Sequence, residues 1–338
     1  MLVESIGPVS ALALSHDHTF LAVGYASGHI NLFDVSRSQT PARSVPPTSL
    51  AAVASGRKEG HIQGARILSV SFVGARHTAI LSADENGLAF YHSLGKVLFV
   101  EATDTLRILG KYPNLVDEAI LSRKIPQTSK GSPLSLNSDV GSIPANPARP
   151  RPWKPRKGST ILAMTSLPLG NSAHPTESYN LVALLTPAKL VVVGLKPSPR
   201  TWFRKHRDIT NELSGLSKWR GCLAWFPSID PGSDTSNSVS TSRHSNGKAS
   251  VKGTPPILAY SWDRTIYLLR VSEAIVRQTV RNPKNPEKTI TVEVGKVELE
   301  EVAHWSTDAD YLALQWLNIH VRGSSKVWMS LLILKRVD

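Results

Sequence analysis

Sulfur is scarce in this chain, with one cysteine, Cys222, and three methionines in 338 residues. A single cysteine excludes an internal disulfide and any cysteine-built zinc or CxxC redox site, and it fits a reducing compartment. Its neighbours Leu223, Ala224 and Trp225 mark the thiol as packing and not as a nucleophile. Long hydrophobic runs are missing too. Met329 to Leu334, one of the longest, is broken by Ser330 and falls far short of the ~20 residues of a membrane-spanning helix. The N-terminus has Glu4 and no basic lead-in, so no signal peptide is read there. Walker loops, GxSxG elbows and HExxH patterns are absent. Neither an enzyme nor a bound cofactor or metal is expected.

Acidic residues are in deficit, 26 against 39 lysines and arginines, for a net charge of +13. Such a balance ordinarily points to an anionic partner. Here the excess is local. Ser122 to Lys157 holds Arg123, Lys124, Lys130, Arg149, Arg151, Lys154, Arg156 and Lys157 against the single acid Asp139, about half of the whole excess. This segment is rich in Pro, Ser and Asn and poor in apolar residues, and reads as a disordered insertion. A second insertion, Ser-, Asn- and Gly-rich, is read over 227–256.

Between the insertions a unit recurs. In His61 to His92, Val70 and Phe72 alternate with Ser69 and Ser71, as a half-buried strand does. A polar break follows, then a strand from Thr78 to Ser82, the turn Asp84-Glu85-Asn86-Gly87, and a strand from Leu88 to His92. Asn-Gly supplies the positive φ of a tight hairpin. Strand, turn, strand, tight turn, strand is most of one propeller blade. Gly7 to Val35 repeats it, with Leu12 and Leu14 in the first strand and Gly28 in the place of Gly87. The two glycines lie 59 residues apart, against ~40–45 for an ordinary WD repeat. The surplus is assigned to a loop over Ser36 to Gly60.

Further along, outer strands are expected at Lys96 to Ala102 and Arg107 to Leu109. Thr160 to Leu195 is a third unit and Trp219 to Val271 a fourth. In the fourth, SWDRTIYLL matches a WD-type hairpin, with Asp263 capping the turn through its carboxylate. Brief helical spacing is seen at Leu115 to Ser122, Ile209 to Lys218 and Ala274 to Gln278. Strands are expected at Thr289 to Glu293 and Val297 to Glu301, and Tyr311 to Leu317 opens a fifth unit. The fold class expected is all-β, a WD-repeat-like propeller of about four to five blades forming an incomplete ring over 1–338.

Possible sites each have a plainer reading. His16 and His18 sit in an inter-strand turn with no ligand cluster nearby. Asp84 and Glu85 are explained by the turn, as is Asp263, and Gly28 and Gly87 by its backbone. Arg149 to Lys157 could meet nucleic acid or an acidic lipid surface, but its prolines prevent a regular basic face. The strip WFRKHR is the best surface candidate. Strand alternation sets Trp202, Arg204 and His206 on one side and Phe203, Lys205 and Arg207 on the other. Aromatic residues beside arginine suit a protein partner, and Trp202, Arg204, Lys205 and Arg207 are the candidate contacts. The competing reading is an inter-blade strand with Trp202 buried and its charges solvated.

An ordered set of stretches resembles one family. GHINLFD (Gly28 to Asp34), GHIQGARILSVSFVGARHTAILSADENGLAFYH (Gly60 to His92), RILGKYP (Arg107 to Pro113), PRTWFRKHR (Pro199 to Arg207), LAYSWDRTIYLLRV (Leu258 to Val271) and LQWLN (Leu314 to Asn318) are similar to the vacuolar protein sorting-associated protein eight family, the subunit that distinguishes the CORVET endosomal tethering complex. The resemblance implies the N-terminal propeller of a longer protein that continues as an α-solenoid with a zinc-binding RING. It implies a non-catalytic role in endosome-to-vacuole transport, peripheral on the cytoplasmic face of endosomes. The implied partners are other subunits of the tether, a GTP-bound early-endosomal Rab GTPase and the endosomal membrane. The alternative from the residues alone is a basic WD-like protein binding nucleic acid or acidic phospholipid through 122–157, with nucleic acid the less favoured.

Overall fold

The computed structural model describes residues 6–37, 40–57, 59–74, 76–97, 100–112, 160–170, 172, 174–208, 220–229, 253–262, 264–282, 285–320 and 327–335. Four antiparallel four-stranded sheets follow one another along the chain. The first is β1 (Val9–Leu14), β2 (Phe20–Tyr25), β3 (Ile30–Asp34) and β4 (Arg43–Val45), in that order. The second runs β5 (Ile67–Val73), β6 (Arg76–Asp84), β7 (Ala89–Ser93) and β10 (Asp104–Leu109), with the small ribbon β8 (Lys96–Val97) and β9 (Val100–Glu101) between the last two. The third is β11 (Ala163–Ser166), β12 (Leu181–Leu185), β13 (Lys189–Gly194) and β14 (Arg200–His206). The fourth is β15 (Cys222–Phe226), β16 (Ile257–Trp262), β17 (Thr265–Asn282) and β18 (Asn285–Ser306), and β19 (Tyr311–His320) pairs with β20 (Val327–Lys335) as a fifth.

The core lies between the sheets, which is why the central strands of the third sheet lack a polar face. Successive residues of a strand point to opposite faces. Leu181, Ala183, Leu185, Leu190 and Val192 face the fourth sheet. Val182, Leu184, Val191 and Val193 face the second. Both faces of β12 and β13 are therefore buried, and LVALL and KLVVVG read as unbroken apolar runs. In the first sheet the small residues do the packing: Ala11 and Ala13 enter the seam with the second sheet, while Leu12 and Leu14 are exposed.

The first strands of the blades, β1, β5, β11, β15 and β19, touch in chain order. Side chains clasp these inner strands across the seams. Ser166 Oγ donates to Phe72 O at 2.8 Å, Trp225 Nε1 to Thr165 O at 3.2 Å, and Trp316 Nε1 to Ala224 O at 3.1 Å. Among the described residues the arc is open, since such packing does not return from the fifth sheet to the first.

Several expectations need correction. Ser36 to Gly60 is not all loop. It supplies β4, the outer strand of the first blade, and a short helix α1 (Leu50–Ala54), whose cap Ser49 accepts a hydrogen bond from Ala52 N. The outer strand of the second blade is β10; Lys96 to Ala102 instead folds back on itself as β8–β9. Ala274 to Gln278 is not helical but lies within β17, and the two strands expected between Thr289 and Glu301 are one, β18. These two strands pair from Thr265–Ser306 to Asn282–Asn285, while β16 reaches only to Arg270. At ~3.3 Å per residue, the paired ribbon beyond the blade is roughly 35 Å long.

The ends of the second insertion are fixed. Ser228 is buried and its hydroxyl donates to Thr254 O, and Ile229 bridges Thr254. Leu115 to Ser122, the basic segment 122–157, Ile209 to Lys218, Asp263 and the middle of the second insertion lie outside the described residues.

Candidate interaction surface and the buried polar network

The WFRKHR strip forms most of β14, the outer strand of the third blade. A bulge interrupts its pairing: Thr201 faces Val193 and Phe203 faces Val192, leaving Trp202 without a cross-strand partner. Strict alternation therefore fails, and Trp202 and Phe203 both pack against the seam between the third and fourth blades. Trp202 lies edge-on to Tyr179, with the Arg200 guanidinium 4.6 Å over its ring. Gly194 makes room for it, because a Cβ there would stand 2.4 Å from Trp202 Nε1.

The basic residues divide. Lys205 reaches the fourth blade, where Nζ lies 2.6 Å from Glu301 Oε2 and 4.4 Å from the Tyr267 ring centroid. The Lys205 hydrogen bond holds the Glu301 carboxyl below its usual range, helped by His304. Arg207 donates from Nη1 to Pro187 O at 3.2 Å. Lys205 thus joins two blades and Arg207 braces the β12–β13 turn of its own blade, whereas Arg204 and His206 face solvent. At the same seam the Tyr179 hydroxyl donates to Glu273 Oε1 at 2.6 Å, fixing the base of the β17–β18 ribbon to the third blade. Burial, then Glu273, pushes the Tyr179 pKa up to about 12.

Gly28 and Gly87 occupy equivalent corners. Their φ angles are +91° and +81°. Gly28 N donates to Tyr25 O and Gly87 N to Asp84 O, three residues back in each case. In the second blade Asp84 also caps the turn, Oδ1 accepting from Asn86 N at 2.8 Å and Leu88 N at 3.0 Å. The third blade does the same with a hydroxyl, as Thr186 Oγ1 accepts from Ala188 N and Lys189 N.

Sequence reasoning missed what the other oxygen of Asp84 does. Asp84 Oδ2 is 2.8 Å from His61 Nδ1, His61 Nε2 is 2.6 Å from Ser82 Oγ, Ser82 Oγ is 2.8 Å from His92 Nε2, and His92 Nδ1 is 3.3 Å from Thr105 Oγ1. One proton assignment satisfies the chain. His61 Nδ1–H donates to the carboxylate and Nε2 accepts the Ser82 hydroxyl. Ser82 accepts from His92 Nε2–H, and His92 Nδ1 accepts from Thr105. The order Asp–His–Ser invites comparison with a hydrolase triad. Yet Ser82, His61 and Asp84 are 0%, 1% and 0% exposed. A serine with no accessible surface cannot attack a substrate, so in this fold the network ties the loop before β5 to β6 and β7, the second and third strands of the blade. The only sequence signal was a polar residue, Ser82, where the strand pattern wants an apolar one.

Burial, followed by repulsion from His61, lowers the His92 pKa to about 3 from its ordinary 6.5. The unfolded chain therefore takes up this proton first. Stability from His92 is complete above about pH 6.5 and is lost progressively as pH falls toward 3. Melting temperature is expected to drop between pH 7 and pH 5, and His92→Gln to flatten that slope. An unchanged slope in the variant would refute the assignment.

His16 and His18 are exposed in the β1–β2 turn, where His18 has a φ of +61°. Among the described residues no three His, Cys, Asp or Glu side chains converge as metal ligands. Burial raises the Cys222 thiol pKa, and its Sγ lies 3.9 Å from Tyr311 O. No helix among the described residues is long and apolar enough to cross a membrane.

Repeated four-stranded blades, matched glycine corners and clasped inner strands define a propeller, and a family comparison agrees. The family model described as Vps8 beta-propeller matches residues 2–321. The chain belongs to this family. No curated protein matches it. Among solved structures, the Vps8-type chain is similar to the beta-propeller domain of Cps50 (Swd1) from Myceliophteria thermophila, at 9% identity and a TM-score of 0.38 over 96% of this chain and 73% of that one. It is also similar to Sqt1 from Chaetomium thermophilum, at 11% identity and a TM-score of 0.36 over 79% of this chain and 44% of that one.

Proposed function

We propose that this Vps8-type propeller is a non-catalytic interaction module of a CORVET-type endosomal tether. It recognises the GTP-bound state of an early-endosomal Rab GTPase and docks neighbouring subunits at the cytoplasmic face of endosomes, in transport toward the vacuole or lysosome. The single observation that carries this reading is the family match across residues 2–321. The burial of the triad-like constellation of Asp84, His61 and Ser82 is consistent with a scaffold. Selectivity would come from a Rab switch segment that is ordered only with GTP. Within the candidate strip, Arg204 is exposed to meet such a partner, while Trp202 and Lys205 hold the seam behind it and Arg207 braces the β12–β13 turn.

The test is a pull-down across a panel of Rab GTPases, each loaded with a non-hydrolysable GTP analogue or with GDP. At least one early-endosomal Rab is expected to be retained roughly tenfold better in the GTP state, a difference of about 1.4 kcal/mol. Arg204→Glu is expected to weaken that retention without changing the melting temperature. Equal retention in both nucleotide states across the panel would reject the reading.

A further inference from the structure

A cleft of about 590 Å³ opens between the second and third blades, lined by Arg107, Lys111 and Lys189 with Ile108, Leu109 and Thr186. Among the described residues no carboxylate lines it. Arg107, Lys111 and Lys189 make no ion pair among the described residues. Ordinary surface cations are balanced by nearby acids, as Arg270 is by Glu300 and Arg277 by Glu293. Three unbalanced cations around one concavity concentrate positive potential there.

Both walls are held in place before any ligand arrives. Arg107 lies over the Tyr112 ring at 5.7 Å, and the Tyr112 hydroxyl is fixed by donating to Gly60 O at 2.8 Å. Lys189 leaves the corner pinned by Thr186 Oγ1. Arg207 braces the same corner from behind, its backbone N donating to Ala188 O and its side chain to Pro187 O. Residues 113–159, which follow Tyr112 directly, taken together contain eight cations and three acids, a balance opposite to the one such a cleft attracts.

Arg107, Ile108 and Leu109 belong to β10, which among the described residues pairs only with β7 and has an open strand edge on its other side. An open edge offers main-chain hydrogen bonds to an extended chain. An apolar wall beside cations suits side chains of both kinds. A bare phosphorylated headgroup would use the cations but neither the strand edge nor Ile108 and Leu109.

We infer that this inter-blade cleft is a docking site for an extended acidic peptide, one with carboxylates at alternate positions and aliphatic residues between them, from a partner protein. This does not depend on recognition of a Rab GTPase, so either reading can fail alone.

The experiment uses the full chain and a fluorescein-labelled peptide, Glu-Val-Glu-Val-Glu-Val, followed by anisotropy. Saturable binding is expected, weakening roughly tenfold or more when glutamine replaces glutamate in the peptide, or in the double variant Arg107→Glu/Lys189→Glu. The control Arg277→Glu, a reversal of the same sign on the distant ribbon, is expected to leave affinity unchanged. Should the double variant lose its far-ultraviolet spectrum, the exposed Lys111→Glu makes the same test alone. Absence of saturable binding would overturn the inference, as would an equal loss in Arg277→Glu. Capture by phosphatidylserine vesicles that depends on Arg107 and Lys189, with no peptide binding, would assign the cleft to lipid and overturn it equally.

Discussion

Replacing Asp84 with alanine is expected to cost about 3–5 kcal/mol of folding stability, the combined scale of stranding several buried hydrogen-bond donors at about 1–3 kcal/mol each. Against a domain stability of about 5–15 kcal/mol, that is enough to unfold much of the chain at physiological temperature. Two separate losses combine. Asn86 N and Leu88 N lose their acceptor at the hairpin corner, and the His61 Nδ1–H is left buried without one. Asp84→Asn separates them. The amide oxygen still caps the turn, and its NH₂ can donate to His61 Nδ1 if the imidazole changes tautomer. Every proton along His61, Ser82, His92 and Thr105 then reverses direction, and each atom stays satisfied. Asparagine is therefore expected to cost only about 1–2 kcal/mol, near the worth of a hydrogen bond to a charged group. Urea denaturation followed by circular dichroism measures both. A loss below about 1 kcal/mol for alanine, or equal losses for the two variants, would show that the network does not hold the blade.

The parts of this fold legible in the sequence are those where local chemistry and tertiary role coincide. Gly28 and Gly87 mark equivalent corners because the backbone there needs a positive φ, which glycine supplies wherever the turn sits in the fold. The third blade is readable because β12 and β13 are buried on both faces, so their apolar runs are continuous. Other parts depend on contacts that local pattern does not contain. β4 is only Arg43–Val45 and is defined by pairing with Ile30 to Leu32. Ala274 to Gln278 contains good helix formers, but its register with Lys296 to Val292 and the β-branched Ile275 and Val276, followed by Thr279 and Val280, make it a strand. Propensity yields there to cross-strand pairing.

The candidate strip was half legible for a related reason. Period-two alternation sorts a strand's side chains only while the pairing is regular, and the bulge at Trp202 ends that. Composition marked Trp202, Lys205 and Arg207 as surface chemistry, but Glu301, Tyr267 and Pro187, which engage the two cations, come from other strands and turns. His61 and Asp84 are likewise 23 residues apart in the chain. They meet because the loop before β5 crosses the hairpin corner of its own blade.

What makes the blades one body is their inner strands, and Trp225 tests this most severely. Its side chain is buried in the seam between the third and fourth blades, and its indole N–H crosses to Thr165 O. Trp225→Ala is expected to cost about 3–5 kcal/mol through the lost apolar contact and the cavity left behind. Trp225→Phe keeps most of the ring and removes the hydrogen bond, at an expected cost of about 1–2 kcal/mol. Trp316→Phe removes the corresponding bond to Ala224 O one seam along and should cost a similar amount. The location of the damage matters as much as its size. Amide hydrogen exchange after Trp225→Ala should rise in β11 and β15 together, on both sides of one seam, while β1–β4 remains protected. Exchange confined to β15 would mean that each blade stands alone and that the indole clasp contributes nothing to their stacking.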